Sequence, residues 1–314
     1  MITNLASAIT KAASKQTYYT IRFLADRTRV DDAYRAYAYF RWVDDILDAE
    51  AVSEPERLAF LERQEALLEA CYRGEPPYDV DIQEQMLVEL VQHDQAENSA
   101  LRQGYESGLK AYLRHMMLVM NFDARRRGRL ISQAELNEYT RWLAVAVTEA
   151  LHYFIGHDDF TPHDATRYLA VSAAHIAHML RDTAEDMRLG YYNIPQEVLE
   201  ANHIWTQEVK SEAFPGWVKT RVQLAREYLE AGKGYFARVQ NLRCRLAGMA
   251  YISRFEWVLD TIEDERYHLR PAYNERKSLG SGLRIGWLTL SSLLNSHGLG
   301  ALPQSIPARP LGKP

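Results

Sequence analysis

The sequence predicts an all-α protein built as one large helical bundle. Three observations carry that expectation. Apolar residues recur at helical spacing through most of the chain, whereas alternating β-branched and polar runs bounded by hairpin turns are nearly absent. Helix-start signals recur: Ser53-Glu54-Pro55-Glu56 and Ser132-Gln133-Ala134-Glu135 have the form of capping boxes, and Thr161-Pro162-His163-Asp164 places proline at a first helical position. No linker divides the 314 residues and no short-period repeat appears, so one domain is expected over 1–297. A Gly/Pro-rich tail over 298–314 is expected to be poorly ordered.

Taken in order, residues 4–26 form an amphipathic segment with Tyr18, Tyr19, Ile21, Phe23 and Leu24, followed by a short connection at 26–29. A helix over 34–48 comes next. The first capping box opens a helix that stops at Gly74-Glu75-Pro76-Pro77, and a short helix follows over 81–94. A long helix over about 100–122 ends near Asp123 and the basic run Arg125–Arg127, which reads as a solvated helix end complementing the helix dipole. The second capping box opens a helix reaching about Gly156, and the signal at 161–164 opens one reaching about Arg188, stopped by Gly190. Residues 191–195 read as an extended loop. Further helices are expected over 216–247, 250–270 and 281–296.

Composition narrows the function. An apolar share of 47% and a charged share of 25% suit an ordinary soluble globular protein. A net charge of −5 argues against a general nucleic-acid binder. Cys71 and Cys244 make no spacing motif and read as reduced packing residues of a cytoplasmic protein. There is neither a secretory signal nor an apolar run long enough to span a bilayer. A peripheral membrane contact stays open, because a greasy substrate would have to be collected somewhere. Oligomeric state is not legible.

The stretch 34–48 holds the first chemical signal. Tyr37, Arg41, Asp44 and Asp48 follow one another at steps of four, three and four, which stacks them on one helix face within an otherwise apolar segment. Burying such groups is costly unless something pairs them. Arg41 could neutralise Asp44 but leaves Asp48 unmatched; two carboxylates one turn apart suit Mg²⁺. His175, His178, Asp182 and Asp186 repeat the pattern at steps of three, four and four, extended by Arg181. Facing each other, the two stripes would build a cage of four carboxylates, which demands cations. Two or three Mg²⁺ bridging them to a substrate diphosphate would balance the site. A carbocation left behind needs a dry, aromatic-lined pocket, and the chain holds 19 Tyr, 9 Phe and 6 Trp. The plain alternative is two salt-bridged helices with Arg41–Asp44 and Arg181–Asp182 as surface pairs.

The segments RWVDDILD (41–48) and RDTAEDMRLGYYNIPQEVL (181–199) resemble those of the squalene and phytoene synthases. Those are isoprenoid-synthase-type α-helical enzymes with a central apolar cavity that join two prenyl diphosphates head to head. The resemblance extends over most of the chain, through Asp123, Glu135, Leu136, Tyr139 and Tyr192-Asn193-Ile194-Pro195. It implies that Asp44, Asp48, Asp182 and Asp186 hold Mg²⁺. It implies that Arg29, Arg41 and Arg181 bind or orient phosphate, that Tyr37 lies by the reacting carbons, and that Tyr192 belongs to the substrate site. Squalene formation would also use NADPH, for which the chain shows no nucleotide fingerprint.

The chain also departs from the resembled pattern. The second helix of those enzymes usually reads Gln-x-x-Asn-x-x-x-Asp; here His175 and His178 stand in those places. Histidine is a softer ligand than Mg²⁺ favours; it could instead take a proton from a carbocation, or both rings could be packing residues satisfied by neighbouring hydroxyls. On the middle helix two glycines become Val145 and Thr148, and Val171 replaces a small residue, taking room from a prenyl tunnel. Glu149 and His152 continue a helix that is apolar in the resembled enzymes. If Glu149 faces inward it supplies a polar acceptor; salt-bridged outside the pocket it does not. The expected activity is therefore Mg²⁺-dependent ionisation of an allylic prenyl diphosphate, joining two of them head to head. A cyclase acting on one such substrate, or prenyl transfer to a small aromatic or polar acceptor, is the alternative. A non-catalytic helical binding module is a second alternative.

Overall fold

A computed structural model describes residues 2–49, 51–101, 106–156, 162–203 and 213–273. Among the described residues it contains eleven α-helices, one 3₁₀ turn and no strand, as the sequence predicts. The expected helix over 281–296 and the tail 298–314 lie outside the described residues, and with them the domain boundary.

The amphipathic stretch expected over 4–26 is two helices, α1 (Ile2–Ala13) and α2 (Lys15–Leu24). Ser14 divides them: its extended backbone breaks α1, and its hydroxyl accepts from the Thr17 amide at 3.2 Å to cap α2. A 3₁₀ turn (Arg27–Arg29) leads into α3 (Val30–Asp48), whose first turn carries Asp31 and Asp32 at the positive end of the helix dipole. The capping box at Ser53 and Glu56 forms as read and opens α4 (Glu54–Tyr72). Then come α5 (Ile82–Leu101) and α6 (Gly108–Arg126). The start of α6 is set by Ser107, whose hydroxyl accepts from the Lys110 amide at 3.0 Å, so α5 runs longer and α6 shorter than spacing suggested. Ser132 and Glu135 cap α7 (Gln133–Gly156).

Two boundaries differ from the sequence reading. The Pro162 start signal does not open α8; Asp164 accepts from the Thr166 amide at 2.9 Å, making a turn, and α8 spans Leu169–Leu189. Gly190 then ends it with a left-handed φ of 87°. Beyond α9 (Gln196–Ala201), the break between the last two long helices falls at 238–241 rather than near 248. Asn241 Oδ1 accepts from the Cys244 amide at 3.1 Å, dividing α10 (Ala213–Ala237) from α11 (Leu242–Asp264).

One continuous apolar core runs through the bundle, with Tyr39, Leu113, Tyr235 and Phe236 wholly enclosed. α6 packs along α7, and α8 lies between α7 and α10. Close approach of α10 to α8 depends on Gly232: a Cβ there would stand 2.6 Å from Ala170 Cβ. The consequence for function is orientation. α3 and α8 end at the same side of the bundle, so their polar stripes share one cleft. Cys71 and Cys244 are buried, and neither forms a disulfide among the described residues. Among those residues no helix is long and apolar enough to cross a membrane.

Candidate active site

A cavity of about 550 Å³ joins the two stripes. Asp44 and Asp48 line it from α3, and Asp182 and Asp186 from α8. Arg41 and Arg181 stand beside them. The apolar part of its lining is more aliphatic than aromatic: Leu47, Met120, Leu143 and Met179 face it together with Tyr139 and Tyr191. The expected aromatic lining is not found there: Phe40, Tyr112 and Phe154 pack edge to face in the core instead of lining this cavity.

Confining this much negative charge shifts the acids. Burial, then the neighbouring Asp48 charge, pushes the Asp44 carboxyl up to about 6. Burial, then Asp182, pushes Asp186 up to about 7. The arginines answer part of the charge. Arg41 Nη1 lies 3.3 Å from Asp44 Oδ2 and its other nitrogen pairs with Asp45. Arg181 Nε donates to Asp182 Oδ1 at 2.6 Å, and His178 Nε2 stands 3.3 Å from Asp182 Oδ2. Both Arg–Asp pairs of the plain alternative thus form, but at the rim of a shared cavity rather than on unrelated surfaces. Among the described residues no three His, Cys, Asp or Glu side chains converge tightly enough to hold an ion by themselves. The four carboxylates expected to form a cage thus line one cavity without closing around an ion-sized site among the described residues.

Sequence reading missed part of the site. Arg126, read as one of a solvated basic run, is buried in the cavity wall, while its neighbour Arg125 is exposed. It donates to Asp123 Oδ1 and to Asn193 Oδ1, each at 2.6 Å, with its guanidinium over the rings of Tyr139 and Tyr191. Tyr139 donates to Asp123 Oδ2 at 2.9 Å. The available signal was spacing: Met120, Asp123 and Arg126 follow at steps of three along a buried helix face.

Residues 10–280 match the family model described as squalene/phytoene synthase. The chain belongs to the squalene/phytoene synthase family. It is accordingly a prenyl-transferring enzyme of isoprenoid biosynthesis. Similar solved structures include a dehydrosqualene synthase in complex with a ligand, at TM-score 0.70 and 17% identity, covering 95% of this chain and 97% of that one. Squalene synthase HpnC from Alicyclobacillus acidocaldarius aligns at TM-score 0.65 and 17% identity, covering 86% of this chain and 95% of that one. At such identities the likeness speaks for the fold. No curated protein matches the chain.

Within this family member, the other residues singled out from the sequence divide. His175 lines the cavity, its ring 5.0 Å from that of Tyr139 and its buried Nε2 without a hydrogen-bond partner. Burial, with help from His178, Arg126 and Arg221, pushes its pKa down to about 3, so the ring is neutral. Tyr37 is half-buried on the α3 face beside Arg41 and Asp44 but does not line the cavity. Tyr192 is likewise off the cavity; its neighbours Tyr191 and Asn193 take the lining positions. Arg29 is not brought to the cavity: it is buried, paired with Glu97, its guanidinium 3.7 Å from the Tyr153 ring centroid.

Val145 and Thr148 also lie away from the lining; Val145 is half-buried, and the Thr148 hydroxyl is buried without a partner. Glu149 does not offer the cavity an acceptor. Both its oxygens accept from Arg167 at 2.8 Å, and Tyr168 adds a third bond at 2.8 Å. Burial alone would raise this carboxyl, but Arg167 and Tyr168 hold it below its ordinary value. His152 joins the same network through the Tyr235 hydroxyl at 2.8 Å.

Proposed function

We propose that this enzyme ionises an allylic prenyl diphosphate with Mg²⁺ and joins two such substrates head to head, releasing diphosphate. One observation carries the reading. Asp44 and Asp186, from the two separate motifs, line a single cavity, and both are driven toward neutrality by burial and a neighbouring carboxylate. An all-oxygen set of crowded acids suits a hard divalent cation. Asp44, Asp48, Asp182 and Asp186 would hold Mg²⁺, which when bound supplies Lewis-acid stabilisation of the charge on the departing diphosphate. Arg41, Arg126 and Arg181 add fixed positive charge along the same rim. The Leu and Met side chains that line the same cavity would receive the prenyl chain and keep water from the cation that forms.

His175 favours a second reading at the same site. A neutral, unpartnered imidazole in the cavity wall can take a proton from a carbocation, ending the reaction as an alkene after cyclisation of one substrate.

Diphosphate release from dimethylallyl, geranyl, farnesyl and geranylgeranyl diphosphates, with and without Mg²⁺, tests the proposal. Release only with Mg²⁺, and a product carrying twice the carbon atoms of the substrate's prenyl group, is expected; without a hydride donor that product is two hydrogens short of two joined prenyl groups or still carries one diphosphate. A product from a single prenyl group would select the second reading. No release from any of the four with Mg²⁺ present would remove both.

A further inference from the structure

We propose that Asn193 is a positioning residue of the cation site, its side-chain amide holding the Asp186 carboxylate in place against Arg126. The inference rests on the Mg²⁺ reading above. Asn193 is 5% exposed, as is Arg126, and both line the cavity. Arg126 Nη1 lies 2.6 Å from Asn193 Oδ1, and Asn193 Nδ2 lies 2.6 Å from Asp186 Oδ2. Amide oxygen and nitrogen cannot trade places here. A guanidinium nitrogen only donates, so the oxygen must face Arg126; the NH₂ group is then left to donate to the carboxylate.

The two bonds complete a chain. Tyr139 on α7 donates to Asp123 on α6; Asp123 accepts from Arg126; Arg126 donates to Asn193 in the loop; Asn193 donates to Asp186 on α8. Three helices and the loop after α8 thereby set where one carboxylate points. Asp186 needs such support, because Asp182 and Glu185 both repel it. A donated bond to Oδ2 favours the ionised form and leaves Oδ1 free of any hydrogen bond among the described residues. Outer partners of this kind typically change metal affinity by about 10–100-fold.

The test uses the full chain at constant pH, with Mn²⁺ standing in for Mg²⁺ and inorganic pyrophosphate for the substrate head group. Free Mn²⁺ is read by electron paramagnetic resonance for the wild type, Asn193→Leu and Asn193→Ser. Leucine keeps the volume without either bond; serine stays polar but cannot span from Arg126 to Asp186. At least tenfold weaker Mn²⁺ binding in both, with melting temperatures close to wild type, is expected. Wild-type affinity in either folded variant overturns the proposal. So does loss of a cooperative melting transition in both, which would make the loop's role structural. A wild type that takes up no Mn²⁺ with pyrophosphate instead overturns the Mg²⁺ reading itself.

Discussion

Tyr191 reaches across the cavity to Asp48: its hydroxyl donates to Oδ1 at 3.3 Å, although 143 residues separate the two in the chain. The contact ties the loop after α8 to the end of α3. It places Asp48 of the first motif beside the loop that follows the second.

Asp44→Ala and Asp182→Ala each remove a carboxylate from one wall. Removing an outer partner of a metal site already costs about 10–100-fold, so losing a ligand is expected to cost at least about 100-fold in turnover. Steady-state diphosphate release at saturating Mg²⁺ checks this. Near-normal turnover in either variant would mean the facing walls do not hold the metal.

Asp186 predicts a pH signature in the metal-free protein. Its folded pKa is raised from 3.8 to about 7, so the folded chain holds the proton more tightly than the unfolded chain. The stabilisation from this group is complete below about 4 and is lost as pH rises through about 7. Asp186→Asn has no proton to lose. It should melt higher than wild type at pH 8, with the difference closing toward pH 4. His152 and His175, whose pKa values fall to about 3, act in the opposite sense but equally in both proteins. Paired melting curves across pH decide; a difference that does not vary with pH would contradict the assigned shift.

Glu149 and Arg167 are 8% and 3% exposed, so deleting one strands the other. Glu149→Ala should destabilise the fold by about 3–5 kcal/mol, whereas replacing both together with Leu and Met should cost little. Urea unfolding of the single and double variants measures this. Equal losses in the two would show that the pair matters through packing alone.

Gly232→Ala tests the approach of α10 to α8. The added methyl would meet Ala170 Cβ at 2.6 Å and Cα at 2.9 Å, and backbone cannot step aside cheaply. Overpacking of this kind costs about 1–3 kcal/mol. A melting temperature at or above that of wild type would contradict the close packing.

Signals carried by near neighbours in the chain match the helices they specify. The two capping boxes, the Gly190 stop and the acid stripes of 37–48 and 175–186 follow from spacing and side-chain chemistry within a few residues of chain. Where local signals compete, the helix boundary differs from the one that spacing predicts. Pro162 and Asp164 form a turn that spacing took for a helix start, and Asn241 caps a helix that periodicity ran through.

The order of residues alone is enough to specify an all-helical chain with two acidic stripes of the same spacing, because helical period and capping depend on near neighbours. That the stripes share a cavity, and which polar residues line it, follows from how the helices pack. Arg126 turns inward because Asp123 and Asn193 await it, the latter 67 residues away. Glu149 turns from the cavity because Arg167, 18 residues on, neutralises it in the core. Whether a buried charge faces a cavity or an ion pair depends on the partner that folding brings to it, and residue spacing carries no record of that partner.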